Sequence, residues 1–334
     1  MSAWGRMLAR AGALAPSCDA AADGHAGVVV ACGGAATGGL VGSYRPLLDE
    51  VRRAHPTAPV ELAVVGEPGS LSDGGEVRSV SQALDALARA GAARVAVLPA
   101  LVVDGSDLAR LRAEVASAPA GLAQVALGRP LVSRASDARR LAEVLVRALP
   151  QGRNAVTVLV GDGGGSRAGA AGRGGGPAGG PSRPANPSGA AGAAGSGALS
   201  LLEVALRGLG RPDLWVCPLD ADPTGLLRRV AEEAPCAFSV RLVPLMMAAG
   251  DLERARIGAD AGESLRAALE RSLYGVEVRE GGLVSLTDVR SLLLEHLDEA
   301  LRQLAARTPG APAAVEPAAG GQVAGAPAAG RAGE

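Results

Sequence analysis

The residues of this chain whose types could do chemistry stand at glycine-rich turns: Gly33-Gly34, Gly105-Ser106, Gly161-Asp162-Gly163, Asp220-Ala221-Asp222 and Gly250-Asp251. A carboxylate there can take a proton or hold a divalent ion, and glycine lets a ligand approach the backbone. Each also has a plainer reading. Asp162 between two glycines suits a turn. Asp220 and Asp222, just before Pro223, suit helix capping. The loop Gly161–Gly165 resembles a phosphate cradle, but it lacks a GK[ST] ending and runs into Gly/Ala/Pro sequence where a helix should begin. The histidines are His25, His55 and His296. The first two fall in an N-terminal extension and at a helix end, where solvated positions are expected. His296 lies beside an apolar helical stripe and reads as structural. Cys18, Cys32, Cys217 and Cys236 form no CxxC pair and none lies near a histidine, so the usual zinc spacings are missing. They read as small hydrophobes in a reducing, cytoplasmic compartment.

Those turns are placed by a repeated alternation of strands and helices. Val28–Cys32, Val60–Val65, Val95–Leu98 and Leu122–Leu127 are short apolar runs of the kind that form strands. Tyr44–His55, Val80–Leu87, Leu108–Val115 and Leu141–Leu149 have helical spacing. A second series follows, with strands at Val156–Val160, Leu214–Val216, Phe238–Met247 and Val276–Val278. Its helices are Leu201–Leu209, Leu226–Val230, Leu265–Leu273 and a last one from about Thr287. Leu98–Gly105 aligns without gaps on Val243–Gly250, and Val28–Gly34 parallels Val158–Gly164. The expected fold is therefore α/β, with two Rossmann-like parallel-sheet halves related by internal duplication and facing across a cleft. Ligands bind beyond the carboxyl ends of parallel strands, which is where the turns lie.

The expected layout is a disordered extension over 1–25, an N-terminal half over 26–140, a C-terminal half over 141–306 and a disordered tail over 307–334. The C-terminal half carries a Gly/Ala/Pro/Ser/Arg insertion at about 163–197, too poor in large apolar residues to offset its chain entropy. Net charge is -1 and all 33 basic residues are arginine, so the charge balance points to neither nucleic acid nor an anionic membrane. Hydrophobic residues make up 48% of the chain, but aromatics only 1%, which removes stacking platforms for single-stranded nucleic acid. The N-terminus lacks the apolar stretch of a secretory signal, and no window is long and apolar enough for a membrane span.

Several segments, in order, resemble one family. VRLVPLMMAAGDLERARIGAD (Val240 to Asp260) is similar to an MPxMxVAGDHxxND-like motif, and TVLVGDGGGS (Thr157 to Ser166) to a GHGT motif. RPAN (Arg183 to Asn186) resembles the HPAN that follows GHGT, displaced by the insertion. LWVCPLDADPTGLLRRV (Leu214 to Val230) is similar to the segment carrying VEGYP. LGRPLV (Leu127 to Val132), PALVVDGSDLARL (Pro99 to Leu111) and LLLEHL (Leu292 to Leu297) also match. Together these resemble the anaerobic cobalt chelatases of cobalamin synthesis, the sirohydrochlorin cobaltochelatases, from about Val28 to Leu304.

The resemblance implies insertion of Co2+ into sirohydrochlorin without ATP, with the ion as substrate and no tightly bound cofactor. It leaves a homo-oligomer open. The family's metal site is His, Glu and His. Those positions fall here on Asp162, Asp220 and Leu252. The surviving candidates are Asp162 and Asp220 as catalytic groups, with Asp162, Asp220 and Asp251 as a hard-oxygen metal site. Gly33, Gly34, Gly161, Gly163, Gly250 and Met247 are the expected substrate-binding positions. A carboxylate is a weaker base than imidazole by roughly two pKa units, and leucine neither ligates nor moves a proton. The sequence thus leaves three readings: a carboxylate-based chelatase, an inactive paralogue that binds tetrapyrrole as carrier or regulator, and a drifted scaffold.

Overall fold

Short apolar runs bounded by glycine satisfy their backbone by pairing in parallel, with helices over both faces. The computed structural model describes residues 26–34, 37–70, 76–162, 188–260, 262 and 264–306. One sheet contains β1 (Ala26–Cys32), β2 (Val60–Val64), β3 (Gly69–Ser70), β4 (Glu76–Ser79), β5 (Arg94–Ala100) and β6 (Gln124–Leu127), ordered β3-β4-β2-β1-β5-β6. The other contains β7 (Ala155–Gly161), β8 (Leu214–Pro218), β9 (Ser239–Leu245) and β10 (Gly275–Val278), ordered β10-β9-β7-β8. Pairing is parallel throughout except at β3, a two-residue edge antiparallel to β4. The first sheet is accompanied by α1 (Gly38–Ala54), α2 (Val80–Arg89), α3 (Ser106–Ala116) and α4 (Ala135–Ala148). The second is accompanied by α5 (Ser188–Gly208), α6 (Pro223–Glu233), α7 (Asp251–Gly258) and α8 (Leu265–Arg271), and α9 (Thr287–Ala306) ends the described chain. The expected two-half α/β fold is the one observed.

Local signals set the helix starts. The Thr37 hydroxyl accepts from Leu40 N, so α1 begins well before the expected Tyr44. Ser79 and Gln82 form a reciprocal capping box on α2. β3 and β4 were not anticipated; neither is long or apolar enough to stand out. The expected insertion is also shorter than its composition suggests, because α5 takes in residues 188–197. Alanine favours helix even in low-complexity sequence. The rest of the insertion, the N-terminal extension and the tail lie outside the described residues.

The duplication is visible in the hydrogen bonds. β2-β1-β5-β6 and β8-β7-β9-β10 have the same order. Leu131 N donates to Leu101 O (2.9 Å) and Val132 N to Val102 O (2.8 Å); at equivalent places Leu283 N donates to Met246 O (2.8 Å) and Val284 N to Met247 O (3.0 Å). Gly105 and Gly250 occupy equivalent turns, each the extended N-cap of the following helix, α3 and α7. One expectation shifts. Cys32 pairs with Ala100 and Gly161 with Leu245, so Val28 corresponds to Thr157 and Gly33 to Asp162, one residue off the expected alignment of Val28 with Val158. A run of valines has no internal feature to fix its register; the neighbouring strand does.

The halves are interlocked. The expected boundary at 140/141 falls inside α4, which packs along α5, whereas α9 returns to cover β5 and β6. Arg129 holds α9 to the β6–α4 connection, donating to Glu299 Oε2 (2.7 Å) and Asp137 Oδ2 (2.8 Å). His296, buried there as expected, lies 3.3 Å from Arg129 O through Nδ1. Burial raises the pKa of Asp137, but the Ser133 hydroxyl and the Arg129 charge outweigh it and leave a net lowering. The hydrogen bond from Arg129 lowers Glu299. Groups with lowered folded pKa stabilise above the ordinary carboxylate range, and lose that contribution as pH falls through that range to their lower folded values. In urea melts, the Asp137→Asn/Glu299→Gln pair should therefore lose less stability between pH 7 and pH 3 than the parent. Equal losses would show that the network does not carry the acid sensitivity.

Leu273 has φ 66° and is 92% exposed, so it carries left-handed strain with no packing to offset it. Leu273→Gly should raise stability by about 1 kcal/mol; a lower melting temperature would contradict this.

Candidate functional site

The carboxyl ends of β1 and β5 face those of β7 and β9 across a crevice. It is lined by Gly33, Tyr44 and the Ala100–Val103 and Gly105–Asp107 stretches from one half, and by Asp162 and Leu245–Ala248 from the other. β1 lies between β2 and β5, and β7 between β8 and β9, so these are the points at which chain order reverses and ligands bind. The crevice holds only about 70 Å³.

Of the expected residues, Asp162, Gly33 and Met247 line it together. Met247 is buried but lies just beyond β9, which ends at Leu245. Gly34 has φ 96° and turns the chain after β1. Gly161 is packed against β9: a Cβ there would stand 3.2 Å from Leu245 O. Gly250 caps α7. Asp251 opens α7, and Gly163 lies outside the described residues. Asp220 is placed apart. It emerges beside Asp162, since Leu219 N donates to Gly161 O (2.8 Å), yet it lines a second cavity of about 740 Å³ among α6, α7 and α8. Asp222, not Asp220, caps α6, accepting from Thr224 N (3.0 Å). Among the described residues, no three His, Cys, Asp or Glu side chains gather as a metal site.

Asp107 was missed. The gapless match of Leu98–Gly105 with Val243–Gly250, carried two residues further, sets Asp107 opposite Leu252. A Cβ on Gly33 would stand 2.4 Å from Asp107 Oδ2, so this carboxylate fills the space left by the glycine. The two halves are thus complementary: Gly33 with Asp107 in one, Asp162 with Leu252 in the other.

The thiols take no part in the crevice lining. Burial pushes Cys32 up to about 12 and Cys217 up to about 11, as expected of buried hydrophobes. Cys236 is exposed, contrary to that expectation, and Cys18 lies outside the described residues. His55 is half-buried, with Nε2 3.3 Å from Asp298 Oδ1, and so is not the freely solvated group expected. No described helix is long and apolar enough to cross a membrane.

No family model matches the chain. Two duplicated parallel-sheet halves with their strand ends opposed define a chelatase-like fold. Among solved structures the chain is similar to SirB from Bacillus subtilis with Fe3+, at 13% identity and a TM-score of 0.53, over 84% of this chain and 98% of that one. It is also similar to the sirohydrochlorin chelatase SirB from Bacillus subtilis subspecies spizizenii in complex with cobalt, at 14% identity and a TM-score of 0.50, again over 84% and 98%.

Proposed function

We propose that this chain is a tetrapyrrole metal chelatase-like protein, related in function to the sirohydrochlorin chelatases whose fold it shares. The observation that carries the reading is the pair of duplicated halves opposing their strand ends, with Asp162 in the crevice and Asp220 one strand away. In the full form of the proposal the substrates are sirohydrochlorin and Co2+, in anaerobic cobalamin synthesis in the cytoplasm, without ATP. The ion enters the macrocycle as two pyrrole N–H protons leave. Asp162, Asp220 and Asp251 are the candidate oxygen ligands, and Asp162 and Asp220 the candidate proton acceptors. Gly33, Gly34, Gly161, Gly163, Gly250 and Met247 shape the surface that the substrate meets.

A second reading rests on Leu252, which stands where the resemblance expects an imidazole: a paralogue that binds tetrapyrrole without turnover. Anaerobic incubation with sirohydrochlorin and Co2+, followed by absorbance, separates the two. The spectrum of the cobalt product supports the enzyme. Saturable binding with no cobalt product supports the carrier. Neither would refute the proposal and leave a drifted scaffold.

A further inference from the structure

Resting on the chelatase reading, we infer that Asp107 is a further catalytic residue of the crevice, a proton acceptor that works from the N-terminal half opposite Asp162. The duplication gives each half two corresponding positions. One is the residue just after the first strand; the other is the second residue of the helix that starts at the Gly105 or Gly250 turn. They are Gly33 and Asp107 in one half, Asp162 and Leu252 in the other. Each half has thus kept one carboxylate. The other position of each pair holds glycine or leucine, which can neither ligate an ion nor move a proton. One carboxylate stands at the strand position and the other at the helix position, and they come from opposite walls of one crevice.

The N-terminal wall is shaped around Asp107. A Cβ on Gly33 would stand 2.4 Å from Asp107 Oδ2 and 2.9 Å from Leu101 Cδ2, so a side chain at 33 would displace the carboxylate. Asp107 and Asp162 are both half-buried, shielded in part from water but open to a substrate between the walls. Among the described lining residues these two are the carboxylates, whereas Asp220 lines the other cavity. Insertion of each Co2+ releases two pyrrole protons. A flat ring between the walls meets one carboxylate from each side. One N–H proton passes to Asp107 and the other to Asp162, both nitrogen electron pairs stay with the ring to bind the ion, and the two carboxylic acids return their protons to water. Asp107 also lies in the first turn of α3, where an acid offsets the helix dipole, and the test has to separate that structural role from catalysis.

The measurement is anaerobic cobalt insertion into sirohydrochlorin by the parent, Asp107→Asn, Asp107→Glu and Asp107→Ala, with melting temperatures alongside. Asp107→Asn keeps the shape and removes the base. Its kcat should fall about a hundred to ten-thousand-fold while KM and melting temperature stay at the parent's values. Asp107→Glu should recover part of the rate. Added formate, a small carboxylate that can enter the space left by the side chain, should recover part of what Asp107→Ala loses. A role confined to the helix start would not respond to formate. An unchanged kcat for Asp107→Asn beside an active parent overturns the assignment and leaves the chelatase reading standing. So does a loss that neither the glutamate variant nor formate repairs. A parent that forms no cobalt product defeats the enzyme reading, and the assignment with it.

Discussion

Asp162→His together with Leu252→His should raise cobalt insertion by about a hundred to ten-thousand-fold, the usual worth of a positioned general base, with restored metal ligation adding to it. The duplication supplies the geometry. Positions 162 and 252 correspond to 33 and 107, and in the N-terminal half the side chain of the second position reaches the α-carbon of the first, 2.4 Å from where a Cβ would stand. Two imidazoles grafted at 162 and 252 would start from backbone positions close enough to share one ion. Imidazole suits cobalt and titrates near neutral pH, which aspartate and leucine cannot match. Each single change should give less than its share, because both groups act on one metal. The measurement is the initial rate of the absorbance change under anaerobic conditions, for the parent, both single variants and the double. If the parent already inserts cobalt at a rate the double does not improve, the view of the site as one that lost its imidazoles is wrong. Asp162 and Asp220 would then be the groups to mutate.

Gly282→Ala should destabilise the fold by about 3 kcal/mol, at the upper end of the range for overpacking. The added Cβ would stand 2.3 Å from Met247 O and 2.7 Å from Ala248 Cα, and both are backbone atoms that no side-chain rotation can move away. Relief requires the 282 segment to part from the loop after β9. The hydrogen bonds from Leu283 N to Met246 O and from Val284 N to Met247 O lie in the way. The damage also reaches the crevice, because Met247 and Ala248 line it. Gly225→Ala is the matched control: it lies inside α6, a Cβ there meets nothing within 4 Å, and it should stabilise by about 0.5 to 1 kcal/mol. Urea melts of the three proteins give the comparison. An unchanged midpoint for Gly282→Ala would mean that the loop is free to yield.

The two-half architecture was legible in the chain because both its signals are local. Val28–Val30 and Val158–Val160 are apolar without alternation, which only a strand covered on both faces tolerates, and the intervening helices carry their stripes at three- and four-residue spacing. The gapless match of Leu98–Gly105 with Val243–Gly250 fixed the repeat before any contact was known. The separate parallel of Val28–Gly34 with Val158–Gly164 was off by one residue, because the valine run of β1 carries no phase and the pairing with β5 and β9 sets it. The turns that could carry chemistry were equally legible, since glycine and aspartate after a strand mark its carboxyl end. What the chain could not reveal was which of them meet. Asp162 and Asp220 leave adjacent strands but line different cavities. Asp107, distant in sequence, lines the crevice with Asp162. Helix α9, last in the chain, covers the first sheet. Side chains on neighbouring strand ends turn to opposite faces according to pleat and loop geometry, and a returning helix goes wherever apolar surface remains uncovered. Both outcomes are decided by packing between segments far apart in the chain, so they belong to the tertiary structure alone.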